Sequence, residues 1–366
     1  MSLTPALMAS LFDSFTNLWG KGAELVYPFL APPPLVLRIR ITNRCNLSCH
    51  YCYLGKSLNI KSETLSFKEW RLIVDKLPTG TLIDITGGEP FLTPEFPKIM
   101  ELFLERKFKI SLITNGTINR PDLFEYLVKN GLMHFMISLD GRGEVHDAIR
   151  GKDSFKKAIA TAQQILKLKE KYQKVYPKVV AKVTVTEANA SELREFTTYL
   201  LQEIGFDGIT LNLLFQNKAR DGFPDAMDEE DEKFLGGNEV IFAEDKVEEL
   251  TAGVLSTRER FPDKVHIRPD INDQDLKSYF RNPSSFSAPG CFKFRSVVTL
   301  YSDGVLTPCD LGLNVGNIRD IEYDLGNAVK LRRMQSFYRF MSVKKSQNLR
   351  GCEGCCLKKH ELKANT

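Results

Sequence analysis

Three cysteines, Cys45, Cys49 and Cys52, form a CxxxCxxC run directly after the apolar stretch from Leu35 to Thr42. Thiolates are soft ligands that select zinc, copper(I) or an iron–sulfur cluster, and three on one short loop leave a metal position for something other than protein. His50, beside Cys49, keeps a zinc site open as the competitor. Further on stands Thr86-Gly87-Gly88-Glu89-Pro90, at the end of the next apolar run. Two glycines there let a ligand approach the backbone, and Glu89 adds a carboxylate suited to an ammonium group. In isolation Gly87-Gly88-Glu89-Pro90 could also be a plain turn; on the same sheet edge as the cysteine loop, a ligand site is the better reading.

The other five cysteines, Cys291, Cys309, Cys352, Cys355 and Cys356, come late, and none lies between Cys52 and Cys291. Two separate metal sites are therefore expected. The chain of 366 residues is 43% hydrophobic and 26% charged, ordinary for a globular protein with a sizeable core. Its 50 basic against 46 acidic residues give a net charge of +4, too small to point to nucleic acid. No apolar run reaches membrane-spanning length and no secretory signal opens the chain. The expected compartment is the cytoplasm, where cysteines serve as ligands or redox groups rather than disulfides.

The elements that must position these residues alternate with regularity. Strands are expected over 35–42, 82–86, 108–114, 132–138, 179–186 and 209–214, with a helix after each of the first five. Ser66-Phe-Lys-Glu69 is a capping box opening one helix, Pro94 marks the start of the next, and Asn189-Ala-Ser-Glu192 is expected to cap another. Consecutive strand–helix units require parallel strands and right-handed crossovers, hence an α/β barrel, a partial barrel or an open sheet. Residues 3–20 read as an amphipathic helix capping a barrel end, with lipid contact as the lesser alternative, and Pro32-Pro33-Pro34 as a stiff spacer. Residues 216–240, with Asp228-Glu-Glu-Asp-Glu232, read as a solvated loop able to cover the mouth; helical periodicity returns near 240–255. Ser302-Asp303-Gly304 is a hairpin signal between strands 295–301 and 305–308, and a helix is expected near 325–340. Four regions result: 1–34, a barrel over 35–215, a variable linker with helical character over 216–289, and a small cysteine-bearing unit over 290–366.

Together, Cys45, Cys49, Cys52 and Gly87-Gly88-Glu89 resemble the motifs of the radical S-adenosylmethionine (SAM) superfamily. The resemblance covers about residues 35–215 and implies a partial (β/α)6 TIM-like barrel holding a [4Fe-4S] cluster, whose open iron is chelated by SAM. It further implies that one electron splits the sulfonium into methionine and a 5′-deoxyadenosyl radical, which removes a hydrogen atom from substrate. By position, Tyr51 resembles the aromatic beside the adenine, Glu89 the partner of the SAM ammonium, and Ser138 a polar group meeting SAM, with Asp140 as a neighbour. Arg150 resembles a holder of the SAM carboxylate; Asn115, Asn189 and Leu213 are candidates to line the pocket. His134, in an apolar strand, reads as a satisfied core histidine rather than a ligand.

The late cysteines resemble the SPASM extension in its shortened twitch form, an α+β unit. This implies one auxiliary iron–sulfur cluster, a [4Fe-4S] by expectation, on Cys291, Cys309, Cys352 and Cys355. Cys356 is left as an alternative ligand, a hydrogen-atom donor or a spare thiol, and a zinc knuckle is the competing reading of this group. The expected protein is an oxidoreductase or modifying enzyme drawing electrons from a donor such as flavodoxin or ferredoxin. Its substrate is a small molecule or a peptide. A peptide maturase or epimerase is the first alternative, with a separate recognition protein because only 34 residues precede the first strand. A zinc-bearing, non-catalytic binding protein is the second.

Overall fold

The computed structural model describes residues 36–52, 54–55, 58–213, 242–282, 286–287, 297–308, 313–343 and 359–362. The expected helix over 3–20, the acidic segment and all five late cysteines lie outside the described residues.

Six strands follow the expected alternation: β1 (Val36–Arg40), β2 (Leu82–Thr86), β3 (Lys109–Thr114), β4 (His134–Ser138), β5 (Lys178–Val185) and β6 (Gly208–Leu213). Each pairs in parallel with the next. Between them run α1 (Phe67–Lys76), α2 (Phe96–Glu105), α3 (Pro121–Lys129), α4 (Glu144–Arg150) with α5 (Ser154–Lys171), and α6 (Leu193–Thr198). The capping box on α1 forms, Ser66 and Glu69 each accepting from the other's backbone.

Two further parallel strands extend the sheet beyond the six expected. After α7 (Glu244–Arg260), β7 (Val265–Arg268) adds beside β6. Then come two short strands, β8 (Asp270–Ile271) and β9 (Phe286–Ser287), with α8 (Leu276–Arg281) between them. The expected hairpin forms as β10 (Val297–Tyr301) and β11 (Val305–Pro308), but β10 lies parallel against β1 and so belongs to the main sheet. β12 (Gly316–Asn317) completes the order β12-β11-β10-β1-β2-β3-β4-β5-β6-β7. After α9 (Arg332–Val343), β13 (Lys359–Leu362) pairs with β8 and β9 in a small second sheet.

Strand alternation sorts the two faces. In β5, Val179, Ala181, Val183 and Val185 are fully or almost fully buried under the helices, while Lys178, Val180, Lys182 and Thr184 stand half-buried on the other face. That face is a polar lumen. His134 on β4 lies in the electrostatic field of Asp84 on β2, Lys178 on β5 and Arg268 on β7, so side chains from distant strands converge across the curled sheet. His134 itself is satisfied by Ser111, at 3.0 Å from Nδ1. On the helix side, Phe91 sits edge-on to Phe96 and Phe124 and stacked near Phe135, which locks the turn after β2 into the core. Among the described residues no helix is long and apolar enough to cross a membrane.

Candidate active site

The cysteine loop leaves the C-terminal end of β1 and is held by the turn that ends β2. Pairing continues past both strands: Ile41 donates to Thr86 O (3.0 Å), Gly88 to Thr42 O (2.7 Å) and Glu89 to Arg44 O (2.8 Å). Gly87 has φ +146°, and a Cβ there would lie 2.5 Å from Thr42 O; at Gly88 it would lie 2.2 Å from Arg44 O. Backbone atoms cannot yield that space, so only glycine permits the approach. The room these glycines provide is thus filled first by the segment running into Cys45.

Asn59, with φ +60°, brackets Cys45 by accepting from its N–H (2.9 Å) and donating to its carbonyl (3.1 Å). Donors also point at the sulfurs: Leu47 N–H to Cys45 Sγ (3.5 Å), Asn115 Nδ2 to Cys45 Sγ (4.0 Å) and Arg150 to Cys49 Sγ (3.8 Å). Burial pushes all three thiols up, Cys49 to about 11, and Cys45 and Cys49 both lie in the field of Cys52. Three crowded, desolvated thiols with donors aimed at them fit a cationic group that takes them as thiolates. Three soft thiolates on one loop fit an iron–sulfur cluster with one open iron, or a zinc ion completed by an outside ligand.

Glu89 is fully buried, and its oxygens accept from Phe91 N–H (3.1 Å), Thr114 Oγ1–H (2.8 Å) and Asn115 N–H (2.7 Å). Burial raises its pKa to about 7. The carboxylate therefore clamps the ends of β2 and β3 together. Its hold on Asn115 reaches the cysteine loop, because Asn115 Nδ2 donates to Asn46 Oδ1 (3.0 Å).

Arg150 also takes a partner within the protein. Its Nε pairs with Asp140 Oδ2, another nitrogen donates to Tyr51 Oη (2.7 Å), and the Tyr51 hydroxyl donates to Asp140 Oδ2 as well. Burial opposes the Arg150 charge, but Asp140, Tyr51 and Cys49 hold the group protonated. Asp140 is fully buried; its second oxygen accepts from Thr184 N–H (2.7 Å) and its backbone N–H donates to His146 Nδ1 (3.1 Å). Burial lowers His146 to about 4, so the ring is neutral with its proton on Nε2. The sequence named Arg150 and Tyr51 as separate ligand contacts and Asp140 as a mere neighbour. The structure joins the three into one network touching Cys49.

Asn189 does not cap α6, whose N-cap is Glu192. Its side chain donates to Asp140 O (2.6 Å) and Thr184 O (2.8 Å) and accepts from Thr186 N–H (2.9 Å), stapling the ends of β4 and β5. Ser138 ends β4 on the lumen face, half-buried, and Leu213 ends β6, nearly fully buried. Asn46 and Asn59 were missed. Asn59 lies outside the CxxxCxxC spacing, and only its left-handed backbone, which asparagine tolerates, hinted at a special position.

Residues 39–179 match the Radical SAM superfamily. The sporulation killing factor maturation protein SkfB of Bacillus subtilis is 28% identical over 307 residues, which cover 82% of this chain and 67% of SkfB. The mycofactocin maturase MftC of Mycobacterium tuberculosis is 30% identical over 168 residues, 45% of this chain and 41% of MftC. The crystal structure of SuiB from Streptococcus suis bound to its precursor peptide SuiA superposes with a TM-score of 0.65 at 16% identity, covering 94% of this chain and 76% of SuiB. At that identity the likeness is one of fold. The motif loop, its glycine-backed seat and the parallel half-barrel agree with the matched segment, so that residues 39–179 carry the match to the Radical SAM superfamily.

Proposed function

We propose that this protein is a radical SAM enzyme that modifies a peptide, with Cys45, Cys49 and Cys52 holding the cluster and SAM bound across the C-terminal ends of the strands. The observation that carries this is the seating of the segment that enters Cys45 against the Gly87-Gly88-Glu89 backbone, with donors aimed at Cys45 Sγ and Cys49 Sγ. When bound, cluster and SAM supply a one-electron cleavage of the sulfonium and a carbon radical that removes a hydrogen atom from substrate. The chain's residues position and shield. Glu89 fixes Asn115 behind Cys45, and Arg150, held by Asp140, sets a positive charge beside Cys49. Ser138, Leu213 and the outward backbone of Gly87 and Gly88 remain proposed SAM contacts. Tyr51, anchored through its hydroxyl, offers its ring as the adenine neighbour.

The peptide substrate is supported by the maturation roles in the names of SkfB and MftC and by the peptide complex of SuiB. The chain spans less than half of MftC, so neither relative's whole activity is transferred. An auxiliary cluster on Cys291, Cys309, Cys352 and Cys355 would accept an electron from the substrate radical, giving an oxidised or newly bonded product; an external flavodoxin- or ferredoxin-like donor would supply the first electron. Anaerobic reconstitution with iron and sulfide, followed by incubation with SAM and dithionite, is expected to release 5′-deoxyadenosine from the unaltered chain. A C45A/C49A/C52A variant is expected to release none. Equal release by the two, or an unaltered chain that stays colourless and holds zinc after reconstitution, would overturn the proposal.

A further inference from the structure

Arg150 is the last residue of α4, and its side chain lies against the cysteine loop. Backbone ties loop and helix end together, His50 N–H donating to Ile149 O (3.4 Å), and one guanidinium nitrogen stands 3.8 Å from Cys49 Sγ. The guanidinium is held there from behind. Its Nε pairs with Asp140 Oδ2, and another nitrogen donates to Oη of Tyr51 (2.7 Å), the residue before Cys52. Asp140 is fixed in turn, its other oxygen accepting from Thr184 N–H (2.7 Å) on β5 and its carbonyl from Asn189 Nδ2 (2.6 Å). The carboxylate is fully buried and the guanidinium 10% exposed, so water screens neither charge well. The pair thus turns its positive end toward the sulfurs. At Cys49 the Arg150 charge favours the thiolate and outweighs the opposing charge of Asp140, and at Cys52 the Arg150 charge acts in the same direction.

An ion pair that only braced the loop would serve with either charge toward the sulfurs; here it is the cation that meets Cys49. The potential of an iron–sulfur cluster follows its net charge, the hydrogen bonds to its sulfurs and its exposure. Reduction adds one negative charge, which a buried guanidinium against a ligand sulfur favours and a carboxylate behind that guanidinium opposes. We propose that Arg150 and Asp140 act as a charge pair that sets the reduction potential of the cluster on Cys45, Cys49 and Cys52, the guanidinium favouring the reduced cluster and the carboxylate limiting that effect. The inference rests on the reading of this loop as a cluster site. Both are positioning residues, acting through Cys49 and not on the reacting atoms. The competing role for the same guanidinium is to hold the carboxylate of SAM, and the test separates the two.

The full chain, reconstituted anaerobically with iron and sulfide, is titrated with dithionite through redox dyes in the absence of SAM. Electron paramagnetic resonance follows the reduced-cluster signal that a C45A/C49A/C52A variant lacks. R150Q removes the cation and leaves the carboxylate; D140N removes the carboxylate and leaves the cation. R150Q is expected to lower the equilibrium constant for one-electron reduction at least about three-fold, a fall of about 30 mV for a one-electron couple, and D140N to raise it at least about three-fold. R150K, which keeps the charge, should stay closer to the unaltered chain than R150Q does. Thermal midpoints show which variants are folded at the temperature of the titration; should D140N not fold, R150Q against R150K decides. A smaller shift in R150Q, shifts of the same sign in R150Q and D140N, or an R150K shift as large as that of R150Q overturns the proposal and leaves the pair a structural brace. An unmoved potential in R150Q with SAM affinity, read by equilibrium dialysis, lowered at least about ten-fold also overturns it, assigning the guanidinium to the SAM carboxylate. An unaltered chain without the signal would sink the cluster reading and the inference together, whereas a normal signal with an unmoved potential sinks the inference alone.

Discussion

Asp140→Asn isolates the contact on which the geometry around Cys49 depends. The carboxylate is fully buried and its Arg150 partner is only 10% exposed, so neither charge is well solvated once the other is removed. At about 4 Å and an effective dielectric near 20, the attraction is worth about 4 kcal/mol. Breaking a buried pair from one side costs about 3–5 kcal/mol, because the remaining charge is stranded. Asparagine keeps the shape and can still accept from Thr184 N–H, but it turns an amide N–H₂ toward the Arg150 and Tyr51 donors. Urea unfolding of the metal-free chain under reducing conditions is expected to show a loss of about 3–5 kcal/mol for D140N and a similar loss for R150Q. The D140N/R150Q double variant should lose less than the sum by at least about 2 kcal/mol. Losses below about 1 kcal/mol for each single variant, with simple additivity in the double, would refute the claim that this pair anchors the loop.

Gly88→Ala forces a Cβ to within 2.2 Å of Arg44 O, so the segment into Cys45 must move; iron bound per chain after reconstitution should fall at least about two-fold, and full loading would contradict the assigned close approach. Glu89→Gln leaves one buried donor among Phe91 N–H, Thr114 Oγ1–H and Asn115 N–H facing an amide N–H₂, a loss of about 1–3 kcal/mol by urea titration; an unchanged midpoint would show that the carboxylate's bonds are dispensable. Burial raises the Glu69 pKa, but the Ser66 N–H, Arg319 (2.7 Å) and the Ser66 hydroxyl bring it down to about 2, below its unfolded value. Its stabilising contribution is therefore complete above about pH 4.5 and is lost as pH falls toward 2; E69Q should flatten that limb of the thermal-midpoint profile, and an identical acid limb would count against the assignment.

The sequence by itself determined whatever is encoded within a few residues. CxxxCxxC and Gly-Gly-Glu are contiguous, and periods of 2 and 3.6 mark strands and helices by which side chains must be buried. The Ser66–Glu69 capping box spans a single turn. The six parallel strands were legible for the same reason, since each strand–helix unit leaves only a parallel crossover. Tertiary structure decided the pairings between distant segments. β10 adds to β1 at a separation of 261 residues, as between Arg40 and Tyr301, and no local pattern says which sheet edge a hairpin will join. Glu89 read as a ligand group because its type and edge position allow that role; only the neighbouring strand shows that Thr114 at the end of β3 and Asn115 just after it also donate to its two oxygens. Arg150 looked free for the same reason until Asp140, Tyr51 and Thr184 were brought together from α4, the turn after β4, the cysteine loop and β5. Residue type sets what a group can do. Burial and the partners that burial imposes decide which of those things it does.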